Sequence, residues 1–362
     1  MGMDAYQNRH GRYFAIPELL AQSTNITVTG LVADYHPSTS GNNQHPETFA
    51  TWDIVACAQK GVPRIDRFWQ RLRRTIEITN PDIIWAGGDA LIAIMAERAQ
   101  RQYDIPTIID LKDNYEAYRI TKFPGVKHAL RRALGNATAV TCGSHALQKY
   151  ATTTGATTSY VLPMAADHNN FFPIDQARAR TNLDLPLDAF YVGTAGKLSA
   201  RRDTQTLSDA VDALHGKIPN LALLVAGARD SSWNRPRKTP TYDLGQVPLG
   251  EVNWLFNALD IAVITNRTNT FGEHCYPQKL HEMLACKTPV IAARTSAFSR
   301  HPLPDGVIAT YSPQSPSELA QAIWAAAIHK ERTNTIEFKA DTWHERANQL
   351  QFILENEHQH HL

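Results

Sequence analysis

The residues best suited to chemistry stand in residues 265–293, TNRTNTFGEHCYPQKLHEMLACKTPVIAA. The stretch reads as a strand, a polar loop with a glycine, a short helix, a tight turn and a buried strand. Pro277 suits a first helical turn, where its missing N–H leaves nothing unpaired. Leu280, Met283 and Leu284 form an apolar stripe, while Lys279 and Glu282, three apart, lie on a neighbouring face. Free N–H groups at the start of such a helix, around Gln278 and Lys279, attract phosphate oxygens. A carboxylate one turn further in accepts two hydroxyl hydrogen bonds, as a ribose diol offers. The plainer alternative is an amphipathic helix with a surface Lys–Glu pair. A second cationic group, Lys197 and Arg202, lies in GKLSARRD directly after an apolar run. Fixed cations there would steady a developing anion; otherwise this is a basic loop before a helix capped by Asp203 or Thr204.

The run P-x-K-x-x-E-x-x-A-C-x-x-P-V-I-A over residues 277–292 resembles the signature of retaining GT-B glycosyltransferases of the family-4 type, the group 1 glycosyl transferases. The resemblance implies that Glu282 binds the nucleotide ribose. Many members carry a second glutamate eight positions earlier, against the donor sugar. His274 stands there, with Glu273 one place off, and a subgroup with the P-x-K-x-x-E form also lacks that glutamate. GKLSARRD is similar to the family's G-R-L-x-x-x-K-G, with Lys197 for the arginine, Arg202 for the lysine and Asp203 for the glycine. By that likeness the two cations clamp the donor diphosphate, Arg as a fork and Lys as a point charge.

Weaker similarities run through roughly residues 80–355. Residues 161–167 with Phe172 and Pro173 look like the interdomain segment, and Gly245-Gln246-Val247 with Glu251-Val252 like the loop that receives the base. Trp343, Ala347 and Leu350 fall where members have a helix crossing back to the first domain. His10-Gly11-Arg12 falls where the family has a glycine loop beside the donor phosphates, which makes Gly11 and Arg12 cleft candidates. Asp113 follows an apolar run and either orients an acceptor hydroxyl or caps the next helix.

The resemblance implies a retaining sugar transfer from a UDP- or GDP-sugar to a hydroxyl of a glycan or lipid-linked acceptor, in cell-surface polysaccharide or glycolipid synthesis. It further implies front-face attack, with the leaving phosphate taking the acceptor proton and no metal or cofactor involved. The chain contains no D-x-D triplet, the usual metal–diphosphate device of the other large glycosyltransferase fold. The alternative is a catalytically degenerate GT-B protein that binds a nucleotide or partner without turnover. A dehydrogenase's G-x-G-x-x-G and a P-loop's GxxxxGK[ST] are both absent.

These residues need a frame, and 362 residues supply one. At about 150 residues per domain the chain holds two to three domains. Apolar residues make up 43% and charged residues 20%, enough for real cores. The net charge of +1 argues against wholesale binding of nucleic acid. The longest apolar run, 90–96, falls far short of the roughly 20 residues that cross a bilayer, and the first dozen residues lack an apolar signal core. Four scattered cysteines suit a reduced cytoplasm, without a disulfide framework or zinc site.

Apolar runs at 26–32, 53–57, 83–85, 107–110, 139–142 and 160–162 alternate with helical spacing at 13–22, 65–79, 90–102, 126–134 and 145–153. After a polar linker near 172–187 come strands at 191–195, 221–226, 261–265 and 290–293, with helices at 204–215, 251–258, 277–286 and 318–329. Such alternation gives parallel sheets covered on both faces. With the family likeness it predicts an α/β GT-B fold of two doubly wound Rossmann-like domains facing across a cleft. The expected domains are 1–172, joined by a C-terminal helix over 341–357, and 173–340. Residues 1–12 are too polar for an opening central strand, so either the chain lacks it or the first sheet is unusual. Within 64–76, Ile65, Phe68, Trp69, Leu72 and Ile76 form a stripe flanked by arginines. That stripe either rests on the anionic inner face of the membrane or packs on the sheet, its arginines reaching water.

Overall fold

The computed structural model describes residues 9, 11–23, 25–35, 48–59, 62–299, 307–329 and 341–361. Two compact units divide the chain: Met1–Met164 with Trp343–Leu362, and Ala165–Thr342. The α/β alternation is present in both, and every ladder but one short hairpin is parallel.

In the first unit β1 (Thr29–Asp34) pairs with β2 (Thr51–Ala56), and β3 (Ala58–Gln59) with β4 (Val62–Pro63). A four-stranded ladder follows in chain order: β5 (Ile84–Gly87), β6 (Thr107–Leu111), β7 (Ala139–Cys142) and β8 (Ser159–Val161). Among the described residues no strand joins β1–β2 to β5–β8, yet one core spans both, with Ala33, Cys57, Phe68, Ala86, Ile92 and Ala96 in a single cluster. The first described helix is Arg12–Ala21. Gly87 lies so close to it that a Cβ would sit 2.5 Å from the Tyr13 ring. The C-terminal helix Trp343–His361 packs in this unit, with Glu357 accepting from the Tyr160 hydroxyl at 2.6 Å.

Helix Ile65–Thr79 has the boundaries its spacing predicts. Its apolar stripe is occupied: Phe68, Trp69 and Ile76 are buried, and Arg98 stacks 4.2 Å over the Trp69 ring. Protein covers the face expected to meet lipid, so this helix follows the packed alternative.

The second unit is one six-stranded sheet in the order β11 (Thr241–Asp243), β10 (Leu221–Ala226), β9 (Phe190–Ala195), β12 (Ile261–Ile264), β13 (Val290–Ala293), β14 (Val307–Tyr311). Both faces are covered, as near-continuous apolar strands require: Leu224, Ala226 and Ile264 enter one cluster, Leu223, Val225 and Val263 the other. The expected linker is not all extended. Helix Gln176–Asn182 forms within it, capped by Asp175, and its Arg180 is buried 2.7 Å from Asp260. β11 and β14 were not expected; both lie at sheet edges, where half-exposed residues weaken the apolar signal.

Candidate active site

In the second unit β9 and β12 are sheet neighbours although β10 and β11 intervene in the chain, so the strand order reverses there. Ligands of open α/β sheets bind outside the carboxyl ends of strands at such a reversal. The candidate residues are built around that end.

β9 ends at Ala195, and Gly196 turns the chain with φ +119°. The loop after β10 crosses it so closely that a Cβ on Gly227 would lie 2.1 Å from the Gly196 carbonyl oxygen. A one-turn 3-10 helix, Ala200–Arg202, then leads into helix Thr204–Ala213. Asp203 does not cap that helix with its side chain. It accepts instead from the Gln314 N–H at 3.1 Å and faces Arg267 at 3.7 Å, and burial holds its carboxyl above the ordinary value.

Helix Gln278–Ala285 follows Pro277, with Leu280, Met283 and Leu284 buried as the stripe requires. Lys279 extends its ammonium to the end of β9, 3.4 Å from both Thr194 Oγ1 and the Ala195 carbonyl. Burial first, and then repulsion from Arg202, lower its pKa to about 8. Glu282 is 8% exposed and accepts from Gln278 Nε2 at 2.8 Å. Burial lifts its pKa to about 7, opposed by Gln278 and Lys279 and reinforced by Asp167. Arg202 and Glu282 therefore both act on the Lys279 charge, with opposite sign. Lys279 and Glu282 make no ion pair with each other within 4 Å.

Phe271 was invisible to motif reading. The guanidinium groups of Arg201 and Arg202 lie 4.6 and 4.8 Å from its ring centroid, so one buried aromatic supports both cations. Asn266, just past β12, is 1% exposed, and among the described residues neither atom of its side-chain amide has a hydrogen-bond partner. A signal for Phe271 exists only in hindsight, as an aromatic in a polar loop; Asn266 offers none.

The other expected residues are less convergent. Lys197 is exposed, and the carboxylate it influences is that of Asp230, which Ser232 chiefly lowers. Glu273 is engaged elsewhere, since its Oε2 accepts from the Ser296 N–H at 2.9 Å and from the Ser296 hydroxyl. One of its carboxylate oxygens thus serves the chain turn after β13. The His274 Nδ1 lies 3.0 Å from the Thr270 carbonyl, which can only accept, so Nδ1 carries the proton.

In the first unit Arg12 is not a solvent-facing cleft residue. It is 2% exposed, 2.6 Å from Asp110, and donates to the Leu162 carbonyl at 2.8 Å. Gly11 accepts from Phe14 and Ala15 at the start of that helix, while His10 lies outside the described residues. Asp113 accepts from the Tyr118 hydroxyl at 2.7 Å, and Asn114 rather than Asp113 caps the following turn. Among the described residues no group of three or more His, Cys, Asp or Glu is arranged to hold a metal ion. No described helix is long and apolar enough to cross a membrane.

The second sheet thus carries a cationic carboxyl end within an α/β fold of parallel sheets. A sequence family described as glycosyl transferase-like matches residues 201–355. A Bacillus subtilis protein, TuaC, described as a teichuronic acid biosynthesis glycosyltransferase, is 28% identical over 255 residues, 67% of this chain and 60% of its own. A D-inositol 3-phosphate glycosyltransferase of Stackebrandtia nassauensis is 30% identical over 158 residues, 38% of this chain and 34% of its own. This chain thus spans less than two thirds of the length of either relative. Sucrose-phosphate synthase from Thermosynechococcus elongatus superposes with a TM-score of 0.75 at 17% identity, covering 98% of this chain and 93% of its own. Anabaena HepE in complex with UDP and glucose gives 0.69 at 16% identity, covering 98% and 95%. At such identities these structures establish the fold. The second half of the chain is thus similar in sequence to glycosyltransferases, and the whole chain shares their fold.

Proposed function

We propose that this protein transfers a sugar, with retention of anomeric configuration and without a metal, from a UDP- or GDP-sugar to a hydroxyl of a glycan or lipid-linked acceptor in cell-surface polysaccharide synthesis. The observation that carries this reading is the meeting of Arg202, Lys279 and Glu282 at the carboxyl end of β9. Arg202 and Lys279 bind the diphosphate, Lys197 adds a mobile charge from the adjoining loop, and Glu282 accepts hydrogen bonds from the ribose hydroxyls.

The chemical difficulty is charge. As the bond from the anomeric carbon to the phosphate oxygen breaks, the sugar becomes cationic and the diphosphate gains negative charge. Preorganised cations stabilise that charge without reorganising as it develops. Lys279 suits this task because its neighbours leave its charge under-compensated; a diphosphate supplies the missing counter-charge. The acceptor oxygen bonds to the same face of the anomeric carbon, and its proton passes to the departing phosphate oxygen.

The engagement of Glu273 with Ser296 favours a second reading, a protein that binds the nucleotide without turnover. Thermal melting with UDP, GDP and NAD tests the binding both share. A ligand at 100 times its Kd stabilises by about 2.7 kcal/mol, so UDP or GDP should raise the melting temperature by several degrees and NAD should not. Glu282→Ala should erase that shift; an undiminished shift refutes the ribose assignment. Release of UDP from a UDP-sugar in the presence of acceptor separates turnover from binding alone.

A further inference from the structure

Helix Pro316–Ile328 lies on the surface of the second unit without a charge beyond its first turn. Its residues 319–328 read LAQAIWAAAI. Leu319 and Ile323 are buried in the core. Gln321, Trp324, Ala325 and Ile328 are exposed, at spacings that put them together on the opposite side. A surface helix ordinarily turns charge outward, as the neighbouring helix Thr204–Ala213 does with Asp209. Here the outward side is apolar, which marks a face that another surface covers.

The face continues beyond the helix. Trp324, Ala327 and Ile328 border a cavity of about 420 Å³, closed by the loop before β9, with Leu187 and Asp188, and by the turn before β10, with Lys217. Leu187, Trp324 and Ile328 are 57, 40 and 58% exposed, so three large apolar side chains converge on one opening. Its charge is balanced. Arg180 also lines it, but that guanidinium already meets Asp260 at 2.7 Å. What remains is one ammonium, Lys217, and one carboxylate, Asp188, both exposed. Asp188 accepts from Asn220 Nδ2 at 2.9 Å, and among the described residues neither charge has an opposite one within 4 Å. The cavity lies at the amino ends of β9 and β10, the other end of the sheet from Lys279.

We propose that this face is the interface of a two-fold symmetric homodimer, in which Trp324 of each copy enters the cavity of the other and Asp188 pairs with Lys217 of the partner subunit, twice over. A two-fold axis sets one patch against itself, so the patch must carry both members of every charge pair. One carboxylate and one ammonium beside an apolar centre meet that requirement. A partner of strong single-sign charge would call for an excess of the opposite sign instead. Tryptophan is enriched among the residues that carry binding energy at interface centres, and Ala327 beside it is small enough to leave room for an incoming ring. Pairing through the amino ends leaves the carboxyl ends of both second sheets open, so each copy binds nucleotide independently.

Sedimentation velocity of the full chain over a concentration series tests the proposal. A small interface centred on one aromatic should dimerise with a dissociation constant of roughly 10 μM, doubling the sedimenting mass. Trp324→Glu should weaken association by about thirtyfold or more. Ile78→Glu, at an exposed isoleucine of the first unit, should leave it unchanged. Asp188→Lys and Lys217→Asp should each stay monomeric alone, because each sets like charges against each other across the axis. Mixed in equal amounts they should form a heterodimer, since each then supplies the charge the other lacks, and that rescue also shows that both variants fold. A chain monomeric throughout the series, a dimer indifferent to Trp324→Glu, or charge variants that ignore each other when mixed overturns the proposal and leaves the face to a different partner. Nucleotide-induced melting shifts are read separately, so either reading can fail alone.

Discussion

Two cation–carboxylate constellations stand at the carboxyl ends of parallel strands, one in each unit, and they differ in whether they are closed. In the first unit Arg12 and Asp110 are 2% and 0% exposed and 2.6 Å apart, with the Thr141 hydroxyl also donating to Asp110 at 2.6 Å. Charge meets charge directly there, and only Arg12 Nε and Asp110 Oδ2 of the pair lack a hydrogen-bond partner among the described residues. In the second unit Lys279 has, among the described residues, two neutral acceptors at 3.4 Å, a second cation nearby, and a carboxylate outside ion-pair reach. Desolvated charge without a partner is what pushes Lys279 and Glu282 toward neutrality. The first arrangement holds a fold together; the second is the one we propose meets the donor diphosphate.

That contrast breaks most sharply on substitution. Arg12→Met leaves Asp110 buried without its cation and should destabilise the chain by about 3–5 kcal/mol, read by urea denaturation. Lys279→Met removes an uncompensated charge and should leave stability unchanged or higher, while cutting sugar transfer by about 10²–10³-fold, as loss of one preorganised electrostatic group does. Comparable destabilisation by both variants would erase the distinction.

The pH dependence sharpens it. The folded-state pKa of Glu282 lies above its ordinary 4.5, so stability present below 4.5 is lost as pH rises toward about 7. That of Lys279 lies below its ordinary 10.5, so stability present above 10.5 is lost as pH falls toward about 8. Glu282→Gln should flatten the first limb and Lys279→Met the second, in melting temperatures recorded across pH.

Smaller effects are expected from residues that support the group. Phe271→Leu keeps volume but removes the ring under Arg201 and Arg202, so UDP affinity should fall by roughly three- to tenfold. Asn266→Ala deletes a buried amide without a partner among the described residues, so it should leave the free protein's stability nearly unchanged. Any loss of donor affinity in that variant would mark Asn266 as a ligand contact.

Much of this was legible because the relevant signals are local. Helix Ile65–Thr79 and strands Ala139–Cys142, Leu221–Ala226 and Val290–Ala293 have the boundaries their periodicity predicts. The turn at Gly196, Pro277 at its helix start, and the spacing of Lys279 and Glu282 also depend on neighbours in sequence. Other features depend on distant partners. No spacing shows that Arg12 meets Asp110, 98 residues away, or that Glu273 meets Ser296. The stripe of helix Ile65–Thr79 was visible, but what covers it was not, because amphipathicity looks alike against a core and against lipid.

Calorimetric titration of UDP near pH 8, in buffers of differing ionisation heat, measures the central feature most directly. Binding should be accompanied by net proton uptake, as the diphosphate restores the full charge of Lys279, and both affinity and uptake should collapse in Lys279→Met. Tight UDP binding with no proton uptake, unchanged in that variant, would show that the diphosphate sits elsewhere.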